Sequence, residues 1–188
     1  MISIEEIPVE NINEFCSEHR GEVRRIGHMK RLKLINEDYQ GHVDIMRHAC
    51  RGIVIKDGKI LLSYVEKCDN YMLPGGGVEG DESLEECCAR ELLEETGIVV
   101  KPKDYYIEVE ELFDVWQHFN HYFICEFVED TGVLNLTEAE KNENYKHVWL
   151  PVEEAKEIFG EYEKYHHADI ALYGLYRREY EALKALDL

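Results

Sequence analysis

The stretch Gly76-Gly-Val-Glu-Gly-Asp-Glu-Ser-Leu-Glu-Glu-Cys-Cys-Ala-Arg-Glu-Leu-Leu-Glu-Glu-Thr-Gly-Ile98 decides how this chain is read. Ser83 is a good helix N-cap, and Glu86 three residues on completes a capping box. Asp81 and Glu82 stand just ahead of the first turn, where negative charge suits the helix dipole. Good helix formers run from Leu84 to about Glu95, and Gly97 supplies the stop. On that helix Glu91, Glu94 and Glu95 are spaced i, i+3, i+4 and fall within one narrow arc. Three carboxylates crowded this way repel each other. The arrangement makes sense if hard divalent cations sit among them. Oxygen-only ligation suits Mg2+ or Mn2+ and argues against zinc.

The residues just upstream complete the pattern. Met72-Leu73-Pro74 reads as a strand end, and Gly75, Gly76 and Gly77 follow it. Glycines let the backbone take positive φ and come close to a ligand. A carbonyl in such a loop can face a metal, and its amides can face phosphate oxygens. Acidic runs on helices are usually solvated faces, and Glu85 and Glu86 are read that way. The glycine loop reverses the reading for Glu91, Glu94 and Glu95. Cys87 and Cys88 are read as small apolar packers rather than nucleophiles.

The same positions resemble the signature of the Nudix hydrolases. Gly76 opens it, Glu82 follows after five residues, and Arg90-Glu91 comes after seven more. Apolar Leu92, Glu94-Glu95 and Gly97-Ile98 close it, and no defining position departs from the pattern. The resemblance covers roughly Arg47 to Phe159. It implies an α/β/α sandwich with a mixed central sheet and metal-assisted cleavage of a diphosphate linked to another group. It also implies that the carbonyl of Gly75 joins Glu91, Glu94 and Glu95 as a metal ligand. Glu82 and Arg90 become structural supports that fix the helix to the loop. Gly76, Gly77 and Trp116 become substrate contacts, with ordinary strand packing as the competing reading of Trp116, Phe119 and Tyr122. The stretch Leu136-Thr-Glu-Ala-Glu-Lys-Asn-Glu resembles the family's acidic loop ahead of the last strand. Its Glu140 is the preferred base, with Glu138 and Glu143 as fallbacks, so the expected catalytic set is Glu91, Glu94, Glu95 and Glu140.

Substrate marks are missing. A proline downstream of the signature is associated with ADP-ribose cleavage, and a tyrosine there with dinucleoside polyphosphates. Leu112-Phe113-Asp114-Val115-Trp116 carries neither. His48, His118 and His121 are too scattered to assign as ligands or bases.

Composition fits a single enzyme domain. The chain has 188 residues, 45% apolar and 11% aromatic, enough for one core. No apolar run is long enough to span a bilayer. The acidic N-terminus, Met-Ile-Ser-Ile-Glu-Glu, lacks a signal-peptide layout. Six cysteines show no zinc-like spacing, which points to reduced thiols in a cytosol. The formal net charge of −19 argues against polynucleotide partners. It leaves a small nucleotide carried in with its metal. Arg24, Arg25, Lys30, Arg31 and Lys33 are the basic exception, read as solvated surface, with an arm contacting a substrate phosphate as the lesser reading.

The organisation reads as an N-terminal extension over 1–45, a Nudix domain over 46–162 and a C-terminal helix over 163–188. Glu5 to Glu18 reads as a short helix and Arg31 to Ile35 as a strand. Arg51-Gly-Ile-Val-Ile and Ile60 to Val65 form a hairpin about Asp57-Gly58. Tyr105 to Phe113, His121 to Phe127 and His147 to Leu150 are further strands, and Val152 to Phe159 is a helix. From Tyr165 on, Ile170, Leu172, Leu175, Tyr176, Tyr180, Leu183 and Leu186 recur at helical spacing, to cover the chain's own sheet or to join a homodimer. The expected function is a cytoplasmic Mg2+-dependent pyrophosphohydrolase acting on a nucleoside triphosphate or another nucleoside diphosphate derivative. The alternative is an ADP-ribose or nucleotide-sugar pyrophosphatase. A different class is a Nudix-fold module that binds a nucleotide without cleaving it.

Overall fold

The Asp57-Gly58 turn does what its sequence asks. Both residues have positive φ, 51° and 74°, as a two-residue type I′ hairpin requires. It joins β3 (Ile45–Lys56) to β4 (Lys59–Val65). The computed structural model describes residues 2–7, 29–184 and 186. The two strands pair only next to the turn, at Ile55↔Ile60 and Lys56↔Lys59. Beyond it they part. β4 goes on to pair with β5 (Asn70–Met72) and β8 (Tyr145–Pro151), both antiparallel. β3 lies parallel to β7 (Trp116–Asp130), which pairs antiparallel with β6 (Ile98–Phe113).

The expected extension supplies two more strands. β2 (Met29–Ile35) runs parallel to β6, and β1 (Ile2–Ile7) lies antiparallel outside it. The result is an eight-stranded mixed sheet. Helices cover both faces. α1 (Leu84–Thr96) packs Leu84, Cys87, Cys88 and Leu92 against Cys50, Val54, Phe123 and Cys125. On the other face, α3 (Val152–Gly160) and α4 (Ile170–Lys184) pack Val152, Phe159, Leu172, Tyr176 and Leu183 on Leu32, Ile53, Val109 and Tyr122. The apolar stripe of α4 therefore covers the chain's own sheet. Burial of such side chains contributes about 1.5–3 kcal/mol each before ordering costs.

Several expected elements differ. Glu5 to Ile7 belong to a strand, not a helix; the rest of the helix expected up to Glu18 lies outside the described residues, as do Arg24 and Arg25. The strands expected at Tyr105 to Phe113 and His121 to Phe127 are much longer. Register shifts at Val99/Val100, Pro102/Asp104 and Tyr105/Ile107 break the alternation that would have revealed them. Leu112 to Trp116 is the tip of that hairpin, with Asp114 at φ 45°. The acidic stretch before β8 contains a short helix, α2 (Glu138–Asn142), capped by Thr137. The C-terminal helix begins at Ile170 after a 3-10 turn at Glu161–Tyr165. Arg31 and Lys33 are not plain solvated surface, because they pair with buried Glu108 and Glu110 at 2.5 and 2.8 Å.

Two of the scattered histidines meet. His121 Nε2 lies 2.9 Å from His48 Nδ1, and His121 Nδ1 lies 2.7 Å from the Tyr105 hydroxyl. A neutral imidazole has one donor and one acceptor nitrogen and can satisfy both contacts. Burial, helped by the charges of His48 and Arg31, lowers the His121 pKa to about 3. The unfolded ring takes up a proton near 6.5. Its folded-state pKa is depressed, so this stability is complete above pH 6.5 and is lost as pH falls toward 3. Urea denaturation between pH 7 and pH 4 should show acid destabilisation. In His121→Gln that slope should be shallower by about 1.4 kcal/mol per pH unit.

Candidate active site

The gap that opens between β3 and β4 is filled by the glycine loop. Pro74 to Val78 runs along β3 as a short irregular partner. The Gly52 amide donates to the Pro74 carbonyl at 3.0 Å, the Cys50 amide to the Gly76 carbonyl at 2.9 Å, and the Val78 amide to the His48 carbonyl at 3.1 Å. This approach demands glycine. Gly75 has φ 142°, and a Cβ there would stand 2.0 Å from the Cys50 carbonyl oxygen. A Cβ on Gly76 would stand 2.5 Å from the carboxyl atoms of Glu91. The loop therefore presses against the acid-bearing face of α1.

α1 forms where its sequence signals place it. The Ser83 hydroxyl accepts from the Glu86 amide at 3.2 Å, and the Glu86 carboxylate accepts from the Ser83 amide at 2.8 Å. Gly97 ends the helix with φ 71°, a left-handed conformation that suits glycine. The i, i+3, i+4 acids then reach three different environments. Glu95 is buried. Its Oε2 accepts from the Gly75 amide and the Ser63 hydroxyl, both at 3.0 Å. Burial outweighs those bonds and the Arg51 charge and lifts its pKa to about 7. Glu91 is likewise raised, chiefly by burial, against the pull of Arg90. Glu94 is the most accessible of the three at its carboxylate. A bound cation would reverse the upward shifts, because a nearby positive charge favours carboxylate over acid.

Arg90 ties these pieces together. Its Nε and Nη2 grip both oxygens of Glu82 at 2.9 and 2.6 Å. Nη1 donates to Glu91 at 2.9 Å and to Glu94 at 3.1 Å, and Nη2 also reaches the Gly77 carbonyl at 3.1 Å. Glu82 in turn accepts from the Glu79 amide at 2.8 Å. The Arg90 hydrogen bonds hold the Glu82 carboxyl below its usual range.

The expected ligands thus lie side by side without forming a closed cage. Among the described residues no three histidine, cysteine or acidic side chains converge on one cation position. Glu91 and Glu94 share Arg90, while Glu95 faces Ser63 and the loop. The Gly75 carbonyl accepts from Arg51 Nη1 at 2.8 Å, a contact that uses one of its two lone pairs. Among the described residues Glu140 makes no hydrogen bond to the box acids. Its Oε2 accepts from the Thr137 amide at 2.7 Å and hydroxyl at 2.9 Å. Tyr145 feels the charge of both Glu95 and Glu140. Burial, with the charges of Glu95 and Glu140, pushes its phenol up to about 12. Trp116 begins β7, half-buried and stacked on Phe113 at 6.2 Å with 4° between planes.

Sequence reading missed the two arginines of β3. Arg51 bonds the carbonyls of Leu73 and Gly75 at 3.3 and 2.8 Å. Arg47 places its guanidinium 3.1 Å from where a Cβ on Gly77 would be. Their i, i+4 spacing on one face of a largely apolar strand was the available signal.

Two substitutions test this geometry. Arg90→Ala removes charge-assisted bonds that contribute about 1.5–3 kcal/mol each, some of it offset by solvent. The melting temperature should fall by roughly 5 °C, along with the rate. A loss confined to the Michaelis constant, with stability intact, would make Arg90 a substrate contact. Gly76→Ala pushes the Glu91 carboxylate aside, so calorimetric Mn2+ affinity should drop while the circular dichroism spectrum stays native.

The NUDIX domain family matches residues 46–169, well over half of the chain. Over 60 residues the chain is 45% identical to the ADP-ribose pyrophosphatase of Methanocaldococcus jannaschii, which covers 29% of this chain and 34% of that protein. The chain thus matches about a third of that relative's length. A solved Nudix hydrolase from Nitrosomonas europaea shares the fold at 19% identity and a TM-score of 0.55, over 73% of this chain and 90% of that one. With the glycine loop, the Arg90 junction and the three box glutamates all in place, the chain belongs to the Nudix hydrolase family.

Proposed function

We propose that this chain is a Mg2+-dependent pyrophosphohydrolase that cleaves a nucleoside diphosphate linked to another moiety, such as a nucleoside triphosphate or a derivative. The observation that carries the reading is the Arg90 junction, which holds Glu91 and Glu94 beside the glycine loop. A solvated acidic face has no need of such a support. The donor set fits a hard divalent cation: the carboxylates of Glu91, Glu94 and Glu95 with the free lone pair of the Gly75 carbonyl, all oxygen. Mn2+ suits the same donors. When bound, the cation lowers the pKa of a water and neutralises phosphate charge.

The chain's own groups do the rest. Arg90 and Glu82 hold the loop and helix in register. Gly76 and Gly77 let phosphate oxygens approach the backbone, and Trp116 offers a ring face. Glu140 accepts the water's proton through Oε1, because its cap bonds fall on Oε2. A general base that reaches the attacking water contributes about 10²–10⁴-fold to rate.

An ADP-ribose or nucleotide-sugar pyrophosphatase is the second reading, favoured by the name of the relative from Methanocaldococcus jannaschii. A binding module without turnover is disfavoured, since every box glutamate is kept. The acidic surface disfavours polynucleotides, and no helix among the described residues is long and apolar enough to cross a membrane. A cytoplasmic place and a small-molecule substrate follow from this reading.

A phosphate-release screen with Mg2+ should find turnover among nucleoside di- and triphosphates, dinucleotides, nucleotide sugars and ADP-ribose. Silence across all of them would favour the binding module. Glu94→Gln keeps the shape and removes one charge, so turnover should fall on the order of a hundredfold or more with little change in melting temperature. Glu140→Gln should slow turnover while leaving Mn2+ affinity nearly intact. An unchanged acidic limb of its pH–rate profile would move the base into the box, to Glu79, Glu82 or Glu94.

A further inference from the structure

The sheet face opposite α1 carries polar groups that the box does not use. Cross-strand register sets Glu111, His118 and Arg47 side by side, with Trp116 two residues before His118 on the same face. Arg47 is exposed, and it makes no hydrogen bond or ion pair with the described residues, although the Glu91 charge reaches it. His118 is buried and edge-on to Phe113 at 6.0 Å, with no partner for Nε2 among the described residues. Asn120 Oδ1 and Arg178 Nε are buried without partners among the described residues, while Asn120 Nδ2 and Arg178 Nη1 both donate to Glu111 Oε2 at 3.0 Å. Buried orphan polar atoms are rare and cost about 1–3 kcal/mol each. Several on one face, next to the glycine loop, mark a place built for a polar ligand rather than for packing.

The chemistry of each group narrows the ligand. A guanidinium beside loop amides suits phosphate oxygens, which it meets bidentately. In a chain of net charge −19 an arginine at the loop with no ion pair among the described residues is a local attractor for an anion. His118 is different. Burial, with the charges of Arg178, Arg47 and Arg51 around it, lowers its pKa to about 3, so it meets a ligand as a neutral ring with one donor and one acceptor. Such a ring reads the polar edge of a neutral heterocycle. Trp116, half-exposed at the hairpin tip, supplies the flat face on which that heterocycle lies.

We propose that Arg47 and His118 are the specificity residues of the site: Arg47 binds a substrate phosphate at the Gly77 loop, and His118 reads the edge of a nucleobase stacked on Trp116. The inference rests on the pyrophosphohydrolase reading and makes the substrate a base-bearing nucleotide, chosen by its base rather than by its second moiety. An adjacent hydrogen-bonding edge can discriminate strongly, because a wrong base leaves the buried groups unpaired.

The test uses the full chain and calorimetry with AMP, GMP, CMP, UMP and inorganic phosphate, alongside turnover of the substrate found by screening. The wild type should bind at least one nucleoside monophosphate more tightly than phosphate. Arg47→Ala should weaken that nucleotide and phosphate alike, by about ten- to hundredfold, with Arg47→Lys recovering part. His118→Gln should change the order among the four bases and leave phosphate affinity unchanged. In turnover, Arg47→Ala should raise the Michaelis constant more than it lowers kcat. Thermal melting confirms folding, and Arg47, being exposed, keeps the test open if His118→Gln is unstable. The proposal is overturned if the wild type binds none of the nucleotides, if Arg47→Ala binds them like wild type, or if the base order survives His118→Gln. Nucleotide binding that depends on Arg47 without any turnover would sink the hydrolase reading and spare the subsite. Turnover with unchanged Michaelis constants in both variants would do the reverse.

Discussion

The docking of the glycine loop against β3 is the constraint on which the rest depends. β3 and β4 separate after their turn, and the backbone groups of β3 at His48, Cys50 and Gly52 would otherwise lack partners. An unpaired buried peptide group costs as much as a lost hydrogen bond, so some segment must lie there. Only a segment without side chains at two positions fits, since Gly75 meets the β3 backbone and Gly76 meets Glu91. The loop's place then determines where α1 begins, and α1 determines where the acids point. A requirement of sheet pairing thereby becomes the geometry of the site.

Charge is handled by pairing instead of avoidance. β6 buries Glu108, Glu110 and Glu111. The first two meet Arg31 and Lys33 of β2 across the parallel pair, and the third meets Arg178 of α4. Arg178 also holds Glu179, whose other oxygen accepts from the Tyr122 hydroxyl at 3.0 Å. Buried pairs are weak contributors to net stability but severe penalties when broken. Their effect here is on register: β2 and α4 can sit on the sheet in one way only, because any slip leaves a carboxylate alone. The outer elements are thus locked to the sheet face that flanks the box.

The box and its helix were legible because each rests on local rules. Ser83 with Glu86, Gly97 at the stop and Glu91, Glu94 and Glu95 on one arc need no knowledge of the rest of the chain. The Asp57-Gly58 hairpin is equally local. What failed was non-local. β6 and β7 run past their apolar centres because bulges carry the pairing through Pro102 and Asp104, and a period-2 pattern does not survive bulges. The first strand looked like a helix start because Glu5 and Glu6 are poor strand residues, and only pairing with β2 makes them one. Histidines far apart in sequence met through the β3–β7 register, which no spacing rule reports.

The same reasoning explains why the substrate mark could not be read downstream of the box. Leu112 to Trp116 is a hairpin tip, so its residues are set by the turn and by exposure as much as by a ligand. The informative positions lie one or two steps inward, where His118 and Arg47 come from different strands and adjoin only through the parallel register of β3 and β7. Burial keeps His118 neutral, and Arg47 is exposed without an ion pair among the described residues. In a chain whose surface is otherwise strongly acidic, selection of an anionic substrate has to be local. On the proposed reading that work falls to Arg47 beside the loop, set against the chain's net charge of −19.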